Sequence, residues 1–158
     1  MERNPITPEG YEALVAELRH HKQVLRPNNV RDIEEARAHG DISENAEFAA
    51  AKERQALLEG RIAELERLVA AADIIDVRKL PRNGRAVFGT RVRVENTESG
   101  QERTWRIVGE TESDVAKGDI SFKSPVARAM IGREEGEEVI VPAPGGRQTW
   151  EIVEVLYE

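Results

Sequence analysis

Asp41 and Glu44 stand three residues apart in a short stretch, Ala36 to Phe48, that also holds Gly40, with Arg37 before it and Lys52 after it. Carboxylate oxygens are the donors that a hard cation such as Mg²⁺ takes, although two of them leave most of its six-oxygen shell to be supplied from elsewhere. The same spacing is that of a capping box, in which Asp41 accepts from the amide three residues on and Glu44 reaches back. On spacing alone the capping reading has the advantage, since it explains both acids without a missing partner. Ser43 weakens it, because this hydroxyl could cap the following helix and leave Asp41 free. Arg37 and Lys52 could share a face and touch a phosphate backbone, or simply be solvated charges offsetting Glu35, Glu47 and Glu53. His39 is given no role, a lone turn histidine being more often solvated than catalytic.

Elements on either side must position these residues. Thr7 and Pro8 are a helix start, a cap followed by a residue whose missing N–H costs nothing there. Leu14, Leu18, His21 and Leu25 follow at helical steps. Pro27 is expected to push Arg26 off helical angles and to break or kink the helix between Arg26 and Asn29, after which Val30, Ile33 and Ala36 resume out of step. Phe48, Ala51, Gln55, Leu58, Ile62, Leu65, Val69 and Ala72 alternate steps of three and four, a coiled-coil seam. With Gly40 allowing a reversal, the two helices are expected to pack as an antiparallel hairpin. At ~1.5 Å per residue the stretch from Tyr11 to Ala38 makes an arm of roughly 40 Å. The pattern alone favours a dimerising coiled coil whose turn only caps the second helix.

Beyond Lys79 to Gly84, read as a linker, the period changes to two. Arg91 to Val94 and Arg103 to Ile107 form a hairpin across the turn at Glu98 to Gln101. Ser124 and Pro125 open a short helix that Gly132 closes, and Glu138 to Val141 and Gln148 to Tyr157 are two more strands. The parity change in the last strand places a bulge near Ile152 or burial on both faces. The fold class is therefore α+β: a two-helix coiled-coil hairpin over residues 1–78, with an acidic tip near 38–46, then a small antiparallel sheet domain with one helix over 79–158.

Composition narrows the function. A net charge of −7 argues against wholesale wrapping of nucleic acid. The chain has no cysteine, hence no disulfide framework or thiolate metal site, and no run near the ~20 apolar residues of a membrane span. A cytoplasmic protein is expected, with no membrane partner. With no glycine-rich phosphate loop and no histidine pair at ligand spacing, it is not expected to be an enzyme on its own.

The segment from Arg37 to Glu53 resembles the tip motif of the bacterial GreA transcription elongation (transcript cleavage) factors. Asn83 to Gly89 and Ile120 to Gly132 resemble that family's second-domain motifs, and the likeness runs through essentially the whole chain. It implies a coiled-coil arm that enters the secondary channel of bacterial RNA polymerase and an FKBP-like domain that docks at the channel entrance. It further implies that Asp41 and Glu44 assist the polymerase's active centre toward a Mg²⁺ held there, the factor having no cofactor of its own. Arg37 and Lys52 would contact the nascent RNA 3′ segment of a backtracked complex, and the docking surface would include Ser121, Lys123, Ser124 and Pro125. The free factor is expected to be a monomer. Two tip positions depart from the usual pattern, Ile42 for leucine and Phe48 for tyrosine. The alternatives are a polymerase inhibitor of the same architecture, which would occupy the channel without promoting cleavage, and an FKBP-type prolyl isomerase. The latter needs an aromatic pocket, whereas Phe88, Trp105, Phe122, Trp150 and Tyr157 mostly fit core positions.

Overall fold

The computed structural model of the chain describes residues 3–40 and 45–158. They fall into two compact units, residues 11–71 and residues 3–10 with 72–158. Among the described residues no helix is long and apolar enough to cross a membrane.

In the first unit, α1 (Pro8–His20) runs through a π turn (His21–Leu25) into α2 (Arg26–Ala38), and α3 (Ala46–Ala71) packs back along them. The antiparallel sense shows in the ion pairs between helices: Lys22 with Glu66 at 3.1 Å, Arg26 with Glu59 at 2.7 Å and Arg54 with Asp32 at 3.8 Å. The expected break at Pro27 does not occur. Leu25 and Arg26 keep helical angles, φ −69° and −63°, and the Arg26 amide donates to the His21 carbonyl five residues back. The missing N–H of Pro27 is absorbed by widening the turn before it, which costs less than breaking the rod.

That continuity changes the seam. Leu14, Ala36, Ala51, Ile62 and Leu65 are buried as their spacing requires, but Val30 is exposed and Asn29 faces inward. Leu25, Asn29, Ile33 and Ala36 continue steps of four, four and three, so the buried position is polar. Asn29 meets its hydrogen-bonding need by donating Nδ2 to the Ala51 carbonyl at 3.0 Å. A buried amide without such a partner would cost ~1–3 kcal/mol.

The second unit is built on a five-stranded sheet in the order β5-β4-β3-β7-β6. Its strands are β3 (Arg91–Asn96), β4 (Glu102–Val108), β5 (Asp119–Ser121), β6 (Glu138–Ala143) and β7 (Gly146–Leu156). The sheet is mixed rather than wholly antiparallel as expected, because β5 runs parallel to β4. It arrives through two short 3₁₀ turns, Glu110–Glu112 and Val115–Lys117, instead of a hairpin. The bulge is real: Arg93 pairs with Glu154 and Val94 with Ile152, leaving Val153 without an opposite number. The inward side chains Val92, Val94, Ile107, Trp150 and Ile152 pack with Ala127 and Met130 of α4 (Pro125–Met130) into a closed core.

A second, two-stranded parallel sheet was not foreseen. β1 (Asn4–Ile6) pairs with β2 (Ala72–Ile74), which places residues 3–10 with the sheet unit instead of the arm. The stretch 79–84 is not a free linker either. Leu80 packs on the core, and the Tyr157 hydroxyl donates to the Arg85 carbonyl at 2.7 Å and contacts Asn83.

Candidate functional site

The turn between α2 and α3 is held from both sides by one residue. Asn45 precedes α3 and its Oδ1 accepts from the amides of Glu47 at 2.9 Å and Phe48 at 3.1 Å, satisfying donors the first helical turn leaves open. Its Nδ2 donates to the Ala36 carbonyl at 2.5 Å, an oxygen that also takes the His39 amide at the end of α2. A side-chain amide offers an acceptor and a donor on separate atoms. Aspartate could cap α3 but could not hold Ala36. Gly40 follows α2 at φ +107°, a region L side chains rarely adopt, and a Cβ there would meet nothing within 4 Å. Glycine is needed at this position for its backbone alone.

Asn45 satisfies the Glu47 and Phe48 amides at the start of α3. The capping box expected of Asp41 and Glu44, and the alternative cap at Ser43, lie outside the described residues.

The charged residues around the turn are exposed. Arg37 lies in the last turn of α2, and Lys52 on α3 donates to Gln55 Oε1 of its own helix at 2.8 Å. Among the described residues these two bases do not bond each other. His39 Nδ1 sits 3.4 Å from Glu47 Oε2, a pair spanning the turn but open to solvent and therefore weak. Beside it Asp32, Glu35, Ala36, His39, Glu47, Ala50 and Arg54 line a cleft of about 270 Å³. No three metal-ligating side chains converge among the described residues.

In the sheet unit the segment named from sequence is ordered by its own bonds. Ser121 closes β5, its Oγ accepting the Lys123 amide at 3.1 Å. Ser124 caps α4, taking the Ala127 amide at 3.2 Å, and Pro125 occupies the first helical position. Lys123 Nζ reaches Glu110 at 3.3 Å and lies over the Phe122 ring. Phe122 and Phe88 meet edge to face at 5.8 Å, and Trp105 and Trp150 at 5.5 Å, so the aromatic side chains pack against the core and one another.

Sequence reasoning assigned no separate task to Asn45. The signal was available: an asparagine immediately before the first periodic residue is a strong helix cap. Asn29 offered less, because its inward position depends on the π turn, and periodicity alone points to Val30.

A helical hairpin joined to a small mixed sheet carrying one short helix is the architecture in view, and comparison with known proteins gives it a family. Residues 4–74 match the family described as "Transcription elongation factor, N-terminal", and residues 81–157 match "Transcription elongation factor, GreA/GreB, C-term". The chain is 51% identical over its full length to the whole of a protein of Hyphomonas neptunium named Transcription elongation factor GreA. It is 52% identical to one of the same name from Anaeromyxobacter sp., over 99% of this chain and 94% of that one. The chain belongs to the GreA/GreB family of transcription elongation factors. A solved GreA/GreB structure from Nitrosomonas europaea aligns over 99% of this chain and 100% of its own, at 22% identity and a TM-score of 0.45, too low to add to the assignment.

Proposed function

We propose that this factor binds bacterial RNA polymerase, inserts its hairpin arm into the secondary channel, and promotes Mg²⁺-dependent cleavage of the 3′ end of backtracked RNA. The supporting observation is the division of labour at the turn. Asn45 caps α3 and ties it to α2, so the Glu47 and Phe48 amides do not depend on Asp41 or Glu44. Their carboxylates offer two hard oxygen donors, an incomplete set that suits an ion whose other ligands belong to the polymerase. In a two-metal centre such an ion stabilises the attacking and leaving oxygens of a phosphodiester. Asp41 contributes a ligand to it, and Glu44 supports that ion or orients the attacking water. Arg37 and Lys52, exposed on the two helices beside the turn, position RNA phosphates without reading sequence. Ser121, Lys123, Ser124 and Pro125 contribute to the docking surface of the sheet unit.

The test is a stalled elongation complex carrying labelled RNA, with Mg²⁺ and the factor added. The intact factor releases short 3′ fragments, whereas Asp41→Ala retains binding and releases none. Equal cleavage by the mutant overturns the role of Asp41. Binding without cleavage by the intact factor would instead make it a channel blocker. Arg37→Ala and Lys52→Ala are expected to reduce cleavage in backtracked complexes more than they reduce polymerase binding.

A further inference from the structure

A polar cluster at the start of α1 has no part in the turn or the docking segment. Thr7 is 2% exposed, and its Oγ1 accepts the Gly10 amide at 3.1 Å as the cap of α1. The Glu112 carboxylate, from the Glu110–Glu112 turn, accepts the Thr7 amide at 3.1 Å and the Gly109 amide at 2.8 Å, and bonds the Thr7 hydroxyl as well. One ionised side chain thus closes the first turn of α1 and the start of its own 3₁₀ turn. Hydrogen bonds to a charged group are the stronger kind.

Two glycines make the room. A Cβ on Gly10 would overlap the Glu112 carboxylate, and one on Gly109 would lie 2.6 Å from the Pro5 carbonyl and 2.9 Å from Glu112 Oε2. Glycine inside a helix is unfavourable relative to alanine, so its presence at residue 10 follows from the approach of this carboxylate. The surrounding contacts point the same way. The Ile75 amide donates to the Ile6 carbonyl at 2.9 Å, and Arg106 faces Glu9 at 3.4 Å.

We propose that Glu112 is a positioning residue for the start of α1. By clasping Thr7 it orders the first turn of the helix that runs on toward the turn carboxylates. Its loss lowers the maximal rate of transcript cleavage without weakening attachment of the sheet unit to polymerase. The cleavage readout rests on the function proposed above; the clasp itself does not.

The full-length protein is compared with Glu112→Ala and with Thr7→Val, which keeps the shape and removes the hydroxyl. Amide exchange at residues 7, 9 and 10 is expected to quicken roughly tenfold or more in both variants, and Thr7→Ser to restore protection. In titrations of a stalled elongation complex, the maximal cleavage rate is expected to fall several-fold in Glu112→Ala while the half-saturating concentration stays within about twofold. Unchanged exchange in Glu112→Ala overturns the clasp, whether or not the intact factor promotes cleavage. Quickened exchange with an unchanged maximal rate, or a loss confined to half-saturation, overturns the positioning role.

Discussion

The two units are stabilised by different means. The sheet unit encloses Val92, Val94, Ile107, Met130, Trp150 and Ile152 between its strands and α4, all of them buried. The arm has one narrow seam between two helices, and its buried side chains include three alanines and an asparagine. Its charged groups make up some of the difference, Arg26 gripping Glu59 and Arg61 gripping Glu17 through two hydrogen bonds each. A unit with a closed core relies on apolar burial. A two-helix seam buries less and depends more on caps and ion pairs.

The comparison is broken most directly through the cores. Trp150→Ala should cost the sheet unit about 3–5 kcal/mol, and Ile62→Ala should cost the arm less, roughly 2–3 kcal/mol, because a two-helix seam can close over the gap. Both tryptophans, Trp105 and Trp150, lie in the sheet unit, so in Ile62→Ala their fluorescence reports the sheet alone, while far-UV circular dichroism follows the helices. For Trp150→Ala the remaining Trp105 serves. Equal losses in urea titrations would mean that the arm is as well packed as the sheet.

A cap matters more where there is little core behind it. Asn45→Ala should destabilise the arm by ~1 kcal/mol, within the range for lost helix caps, with Asn45→Asp recovering part by capping α3 while leaving the Ala36 carbonyl without its side-chain donor. Helix melting followed by circular dichroism measures both. If Asn45→Ala melts like the parent, the turn is organised by something other than this amide.

How much of this was readable beforehand follows the same division. The α3 seam, the cap and first residue of α4 and the bulge in β7 were legible, because each rests on a local rule: a period, a cap followed by proline, a parity change. What escaped depends on distant partners. β5 is three residues long and pairs with β4 only through tertiary placement. Residues 4–6 carry no alternation, and they become a strand because Ala72–Ile74 lies beside them. The inward turn of Asn29 follows from a π turn that proline rules represent as a break. At the site, the acidic pair and its basic neighbours stood out by type, whereas the double bond of Asn45 across the turn required two helix ends to be brought together.

A smaller change should act in the opposite direction. Gly60 lies inside α3, exposed, and an added Cβ would meet nothing within 4 Å. Gly60→Ala should therefore stabilise the arm by ~0.5–1 kcal/mol through backbone entropy alone. No gain in melting temperature would show that the glycine meets a packing need in the folded arm.

The smallest expected effect concerns acid, and it should appear in the arm first. Glu17 is held below the ordinary glutamate value of 4.5, chiefly by the hydrogen bonds from Arg61, opposed by partial desolvation and aided by the charges of Arg61 and His21. Glu59 is lowered in the same way by Arg26. A carboxylate whose folded pKa lies below its unfolded value binds fewer protons in the folded state. Its stabilisation is complete above about 4.5 and is lost as pH falls through the lower folded value. The helix melting temperature should thus be nearly level from neutral pH to roughly pH 5 and decline below ~4.5. Glu17→Gln should lower the plateau slightly and make the acid-side decline shallower, and salt should weaken the parent more than the variant, because exposed pairs are screened. If Glu17→Gln falls as steeply as the parent in acid, the Glu17 pair does not contribute to holding the arm together, and its stability has to be sought in the seam.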